Sequence, residues 1–212
     1  KEPNHLAHHV DLGLVYGRWE KPQKKDQQFL KAINLIQPNT NYAQISGLGF
    51  AFEKIGELEY AISVYINGNK FNQSNPYAYH QKLAYIYNKQ GETQKMIDTF
   101  LELIKQSEGF LSVVQSGLSN AIDFSTNLKA KELLRKALLK QAQLNPRKTI
   151  YTQLLAWFYT LESNYESALI QVRSLDKKLA KNGEKIMDLG ITALNNNEYD
   201  VAIKCLDEVI AS

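Results

Sequence analysis

Three histidines near the start of the chain, His5, His8 and His9, come nearest in type and spacing to a reactive site. Spacings of three and four residues place His5 on one helix face with either of the other two, and two neutral imidazoles can bind a metal ion. A third ligand would have to be Asp11, which points elsewhere on an ideal helix. The sequence therefore predicts a solvated terminus here and no metal site.

Other candidate reactive groups lack the partners that catalysis needs. Cys205 is the single cysteine, so no internal disulfide can form, and its place on an apolar helix face predicts a buried structural thiol. Glu57 and Glu59 lie in a turn without a cleft, and His80 occupies a core-type position that favours a packed side chain. No glycine-rich phosphate loop, HExxH motif or nucleophile elbow occurs. We therefore predict no enzymatic activity, no catalytic residues and no cofactor.

Basic residues follow one helix and the turn after it, with Glu132 as the acidic residue among them. They are Lys129, Lys131, Arg135, Lys136, Lys140, Arg147 and Lys148. Such a stripe can contact a phosphate backbone or an anionic membrane surface. Because it lacks interleaved exposed aromatic side chains for base stacking, a solvated basic face is favoured and no nucleic-acid partner is expected.

The composition is that of a globular chain. It has 212 residues, of which 44% are hydrophobic, and a net charge of +3. A chain this hydrophobic with so small a net charge is not expected to be disordered. No run approaches the roughly 18 apolar residues of a membrane-spanning helix, so no membrane span is expected. The length allows one or two domains, or about six repeats of about 34 residues.

A repeated helix-turn-helix pattern runs through the chain. A small residue recurs in the first helix of each unit, at separations of about 34–36 residues or twice that. These small residues are Gly13, Gly49, Ala84, Ala156 and Gly190. Helices whose axes are about 8–10 Å apart need a small side chain where their backbones approach. In the irregular fourth unit, Leu118 and Ala121 are alternative candidates for this position.

Residues at fixed positions within the units show which known repeat the pattern resembles. Leu48, Gly49, Phe52, Ala61 and Tyr65 form one set, and Leu189, Gly190, Ala202 and Leu206 form another. The pattern resembles the tetratricopeptide repeat family, although the consensus tryptophan is absent. The segment from Ala168 to Ile203 resembles tetratricopeptide proteins of Bacteroidota-type bacteria.

The resemblance implies a fold and a domain organisation. It predicts an all-α, right-handed α-solenoid of about six helix-turn-helix repeats, forming one superhelical domain over residues 1–212. The expected repeats are approximately 6–40, 41–76, 77–109, 110–146, 147–181 and 182–212. The chain starts without an initiator Met and stops as a helix finishes, and we expect it to be a fragment of a longer chain. The compartment stays open, with a periplasmic or envelope-associated location favoured over the cytoplasm.

The resemblance also places the first helix of each repeat on the concave side, where the residue after the small position points into a groove. Here those residues are Leu14, Phe50, Tyr85, Trp157 and Ile191. An aromatic row in a groove predicts a surface for a peptide or partner helix. The expected binding set is Phe50, Glu53, Lys54, Gln81, Tyr85, Lys89, Gln153 and Trp157. Alternatively, the rings only complete packing between adjacent first helices.

Some family members bind a partner's C-terminal carboxylate with a fixed set of basic and amide side chains. Ser46 and Gly47 stand where one basic residue is needed, and only Lys82 is a candidate remnant, so this mode is not expected. The main hypothesis is a non-catalytic protein–protein interaction module with a protein or peptide partner. The alternative is a structural spacer or self-assembly segment of a larger cell-envelope protein.

Overall fold

The computed structural model describes residues 6–180 and 182–211. Its helices are α1 (Leu6–Arg18), α2 (Pro22–Asn34), α3 (Tyr42–Lys54), α4 (Leu58–Phe71), α5 (His80–Lys89), α6 (Thr93–Gln106), α7 (Leu111–Ala121), α8 (Leu128–Leu144), α9 (Thr149–Leu161), α10 (Tyr165–Leu179), α11 (Glu184–Asn195) and α12 (Tyr199–Ile210). A 3-10 turn, Glu108–Phe110, precedes α7, and the described residues form no β-strand. The all-α class is confirmed, and each expected repeat contains one pair of helices.

Asparagine side chains start several of these helices. At α3, the Asn41 side chain accepts a 2.9 Å hydrogen bond from the Gln44 backbone N–H, and the Gln44 side chain accepts one of 3.1 Å from the Asn41 N–H. Asn127 and Asn164 cap α8 and α10 in the same way with one bond each. These bonds satisfy backbone donors that have no partner within the helix, so local sequence fixes where the helices begin.

The turns between paired helices, except that between α7 and α8, each contain one residue with a positive φ. Gly56 and Gly91 have φ values of +79° and +73°, which glycine adopts at little cost. Glu20, Ser163 and Asn197 hold the equivalent place in other hairpins with φ values of 54°, 55° and 63°. In these five hairpins the turn has one left-handed residue whether or not a glycine is available.

The chain forms two compact units, Lys1–Thr99 and Phe100–Ser212, with the boundary inside α6. In the first unit α1 packs on α2 and α3 packs on α4, while α1 also contacts α3 and α2 contacts α4. The rings of Phe29 and Phe52 meet edge to face at 5.0 Å, and Tyr60 lies 5.1 Å from Phe29. The expectation of one continuous superhelical domain stays a prediction.

In the second unit, α9 packs on α10 and α11 packs on α12, and α10 contacts both α11 and α12. One buried apolar cluster joins these helices and includes Leu169, Ile186, Leu189, Val201 and Cys205. The burial of Cys205 confirms the predicted structural thiol. Because the cluster takes side chains from consecutive hairpins, neither hairpin could bury its apolar face alone.

The small residues mark close approaches between helices. A Cβ atom on Gly13 would overlap the ring of Phe29, and one on Gly49 would overlap the ring of Tyr65. A Cβ on Gly190 would lie 2.8 Å from the Cβ of Cys205. The close-packing role predicted for these three glycines is therefore confirmed.

The fourth repeat differs from the prediction. Its close approach is at Gly117, whose added Cβ would overlap the ring of Phe100. Leu118 is instead a fully buried core residue, and Ala121 ends α7 with partial exposure. Both candidates for this position were wrong. The prediction compared only the two helices of one hairpin, whereas Gly117 packs on a helix of the preceding repeat.

Candidate partner-binding surfaces

The exposed face of α3 carries the first expected binding residues. Phe50 is 62% exposed, and Lys54, one helical turn later, is also exposed. Glu53 is only partly exposed, and its carboxylate accepts a 2.7 Å hydrogen bond from the buried Tyr65 hydroxyl. Burial and this bond raise the pKa of the Tyr65 phenol. Glu53 therefore has a structural partner within its own hairpin.

On α5, three expected binding residues follow one face at intervals of four. Gln81, Tyr85 and Lys89 are all exposed, and Tyr85 has 53% of its surface accessible. The Lys89 ammonium lies 4.9 Å from the centre of the Tyr85 ring, which is a cation–π distance. This face therefore presents an aromatic ring with a positive charge held beside it.

Lys82, the candidate remnant of a carboxylate-binding set, faces a different group. Its ammonium lies 5.7 Å from the ring of Tyr65, and its side chain is partly buried. The packing of Lys82 against Tyr65 of the preceding hairpin accounts for its position.

In the second unit, Trp157 is partly buried on α9. Its ring meets Phe124 edge to face at 6.1 Å, and Phe124 also lies 6.0 Å from the buried Phe158. Trp157 is thus partly buried by packing contacts, as the alternative interpretation predicts. Phe50 and Tyr85 are not.

Gln153 lines an open cleft of about 260 Å³ between α7, α9, α10 and α11. Most of its apolar lining residues are buried, whereas its polar lining residues are partly or fully exposed. Its lining residues are Leu111, Gln115, Gln153, Ala156, Thr160, Val172, Leu175, Lys185, Asp188, Leu189 and Thr192. Lys185 and Asp188 pair at 3.4 Å. An apolar floor with a polar rim is typical of a ligand or side-chain pocket.

Sequence reasoning missed most of this cleft. Gln115 on α7 and Asp188 and Thr192 on α11 were not among the expected binding residues. The available signal was that α7, α9 and α11 are all first helices of their repeats, so polar residues on their shared face could have been grouped. The irregular register of α7 hid this relationship.

The histidines have ordinary surface partners. His9 Nδ1 lies 2.9 Å from the Gln28 side-chain oxygen, and His8 Nδ1 lies 4.0 Å from a carboxylate oxygen of Asp11. His5 lies outside the described residues. No group of three or more metal-binding side chains occurs in residues 6–180 and 182–211. Over the same residues, no helix is both long and apolar enough to cross a membrane.

His80 is packed, as predicted. It is 8% exposed, its Nδ1 lies 3.3 Å from the Asn69 side-chain nitrogen, and its ring lies 4.7 Å from that of Tyr77. The thiol of Cys205 is buried, and this burial raises its pKa, which keeps it in the unreactive protonated form.

The basic stripe has more acidic partners than the sequence predicts. Glu162, at the end of α9, accepts two hydrogen bonds of 2.9 and 3.0 Å from Arg135 and lies 3.6 Å from the Lys131 ammonium. Glu132 pairs with Arg135 at 2.9 Å and with Lys136 at 3.3 Å. The expectation of Glu132 as the single acidic neighbour was wrong, because Glu162 reaches the stripe from the next hairpin.

No protein-family model matches the chain, and no curated protein matches it in sequence. Two solved structures match the chain in structural comparison. A tetratricopeptide repeat protein from Parabacteroides merdae ATCC 43184 is 13% identical, with a TM-score of 0.40, and the match covers 98% of this chain and 79% of that chain. The MamA RS-1 ArsTM double mutant is 12% identical, with a TM-score of 0.28, over 100% of this chain and 96% of that chain. The close approaches at Gly13, Gly49 and Gly190 recur with the repeat period that the sequence predicts.

Proposed function

We propose that the chain is a non-catalytic protein–protein interaction module that binds a peptide or partner helix on its first helices. One observation carries this proposal. Phe50 and Tyr85 occupy equivalent positions on α3 and α5, and both rings project into solvent with 62% and 53% exposure. Rings needed only for packing would be buried, as Phe52 is at 0%. Exposed aromatic residues are the usual anchors of binding surfaces.

The charges beside the rings indicate the chemistry of the partner. Lys54 lies one turn from Phe50, and Lys89 lies against Tyr85. Glu53 is the acidic member of the expected set, and its carboxylate already accepts a bond from Tyr65. The surface therefore fits a segment with apolar anchors and acidic residues, because each lysine can pair with a carboxylate.

The cleft of the second unit supports the same activity. Its floor includes Ala156, Val172 and Leu189, and its rim supplies amide and hydroxyl groups such as Gln153 and Thr192. An apolar side chain can enter such a cleft while the peptide backbone bonds to the rim.

Affinity capture from cells of the source organism tests this function. The wild-type chain is compared with the double variant Phe50→Ala/Tyr85→Ala. A matched control is Ile66→Ala/Ile170→Ala, since these residues are 49% and 62% exposed on the second helices α4 and α10. We expect a protein captured by the wild type and the control to be lost with the double variant. Equal capture by all three, with unchanged circular dichroism, would reject the surface.

A structural spacer or self-assembly segment of a larger cell-envelope protein is the second candidate. The observation in its favour is the exposed apolar surface of α12, where Ile210 is 84% accessible. Sedimentation velocity over a wide concentration range tests it. Self-association that Ile203→Asp abolishes would support assembly, and a monomer at every concentration would oppose it.

A further inference from the structure

The turn between α8 and α9 brings together cations from separate helices of the second unit. Lys140 lies one helical turn before Leu144, which is the last residue of α8. Arg147 and Lys148 complete the turn that leads into α9. The ammonium group of Lys178, in the last turn of α10, donates a 3.2 Å hydrogen bond to a backbone carbonyl of the same turn. All four cations are exposed. We call the following set the basic edge: Lys140, Leu144, Arg147, Lys148 and Lys178.

Neighbouring structure leaves the basic edge open and its charges uncompensated. In the second unit α7 precedes it and α11 and α12 follow it, so its exposure does not depend on where the sequence ends. Glu162 and Glu132 pair with other cations of α8. In residues 6–180 and 182–211, no carboxylate forms an ion pair with a cation of the basic edge. Asp176, two residues before Lys178, is buried and accepts its hydrogen bonds from backbone N–H groups.

Two of these cations work against the stability of the fold. Arg147 and Lys148 directly precede α9, and the N-terminus of a helix carries the positive end of its dipole. Lys148 is the N-cap residue, its side chain makes no capping hydrogen bond, and the first turn of α9 has no acidic residue. Hydrogen-bond acceptors and acidic residues are the types that stabilise this position. Helix stability therefore does not account for Arg147 and Lys148.

Leu144 gives the charged surface an apolar contact. Its side chain is 65% exposed, although it lies one helical turn from Lys140 and three residues before Arg147. The basic edge contains no aromatic ring, so the bases of a nucleic acid have nothing there to stack on. A projecting aliphatic side chain among lysine and arginine is instead suited to an anionic bilayer, where the cations meet lipid phosphates and the leucine enters the acyl boundary.

We propose that the basic edge docks the chain on an anionic lipid surface. The four cations lie against the phosphate groups, and Leu144 enters the boundary between headgroups and acyl chains. Attachment of this kind is peripheral and reversible, because a few charges and one apolar side chain do not reach the strength of a stable anchor. It is separate from the proposed partner-binding function, whose exposed rings Phe50 and Tyr85 belong to the first unit.

Vesicle flotation of the whole 212-residue chain tests this proposal. One set of vesicles contains phosphatidylglycerol and phosphatidylcholine in equal parts, and the other contains phosphatidylcholine alone. We expect the chain to bind the anionic set only, and to lose about tenfold or more in affinity between about 0.05 M and about 0.5 M salt. Equal binding to both sets would overturn the proposal.

The double variant Arg147→Gln/Lys148→Gln separates lipid binding from folding. We expect its affinity for anionic vesicles to fall about tenfold or more. Its urea unfolding midpoint should stay the same or rise, because the removed charges oppose the helix dipole. Lys31→Gln/Lys70→Gln is the matched control, since it removes the same charge from exposed positions in the first unit. Equal weakening by both double variants would assign binding to net charge and refute the basic edge.

Leu144→Ala distinguishes a bilayer from other polyanions. We expect it to lower vesicle affinity about threefold or more, and to leave any binding to duplex DNA unchanged, because DNA offers no hydrocarbon region. Leu128→Ala is the control, since Leu128 is 71% exposed at the other end of α8. Equal effects of the two leucine variants on vesicle binding would contradict the proposal. Tighter binding to duplex DNA than to anionic vesicles would assign the basic edge to nucleic acid and overturn it.

Discussion

Gly49 lies directly against the ring of Tyr65, so that any side chain on Gly49 would overlap atoms of a fully buried residue. Tyr65 cannot move away easily, because its hydroxyl bonds to Glu53 at 2.7 Å. We expect Gly49→Leu to destabilise the chain by about 1–3 kcal/mol or more, measured by urea unfolding.

Gly47 provides the control for this substitution. It lies in the same helix, and a Cβ built on it would meet no atom within 4 Å. Gly47→Leu should therefore be neutral or stabilise the helix by up to about 1 kcal/mol, because leucine favours helices more than glycine does. Equal losses from the two substitutions would show that the close approach does not matter.

The three aromatic residues of the expected binding set should differ in their effect on stability. Phe50→Ala and Tyr85→Ala remove exposed rings, and we expect changes within about 0.5 kcal/mol. Trp157→Ala removes a partly buried ring that contacts Phe124, and we expect a loss of about 1–3 kcal/mol. Thermal unfolding of the single variants measures this. A stable Trp157→Ala variant would assign that ring to binding alone.

Asp176 fixes the start of α11. It is 8% exposed, and its two carboxylate oxygens accept backbone hydrogen bonds from Gly183 at 2.7 Å and Lys185 at 3.1 Å. We expect Asp176→Ala to cost about 1–2 kcal/mol in free energy of unfolding, because two donors lose their acceptor. Asp188→Ala is the control, since that carboxylate is exposed. No difference between the variants in urea unfolding would contradict the capping role.

Alkaline pH should weaken the fold through a buried tyrosine. Burial raises the pKa of Tyr79 to about 12, against about 10 for an unfolded tyrosine. The neutral form is favoured in the folded chain, so this stabilisation is complete below pH of about 10 and is lost as the pH rises through about 12. We expect the free energy of unfolding to fall over this range, and to fall less in Tyr79→Phe. Parallel curves for the two proteins would assign the loss to other groups.

Much of the fold follows from the sequence because its determinants are local. Gly13, Gly49 and Gly190 each mark a close approach to the second helix of their own hairpin. The Asn41 capping box and the turn glycines also act within a few residues. Such features repeat with the period of the array, so a single sequence contains several independent examples of each.

The errors concern contacts between hairpins. Gly117 packs on Phe100, and Glu162 pairs with Arg135 on another helix. For the binding surface, the sequence indicated which face Phe50 and Tyr85 share, but exposure was needed to separate them from Trp157.

The shared turn conformation has a consequence for heat resistance. A left-handed residue other than glycine costs about 1–2 kcal/mol, and this chain meets that cost at Glu20 and Ser163. Glu20→Gly and Ser163→Gly should each raise stability by up to about 1 kcal/mol after the loss of chain entropy, seen as a higher melting temperature. No gain would mean that local hydrogen bonds already offset the strain. These two positions are far apart in the sequence. Substituting both would stabilise the protein and leave every proposed binding residue unchanged.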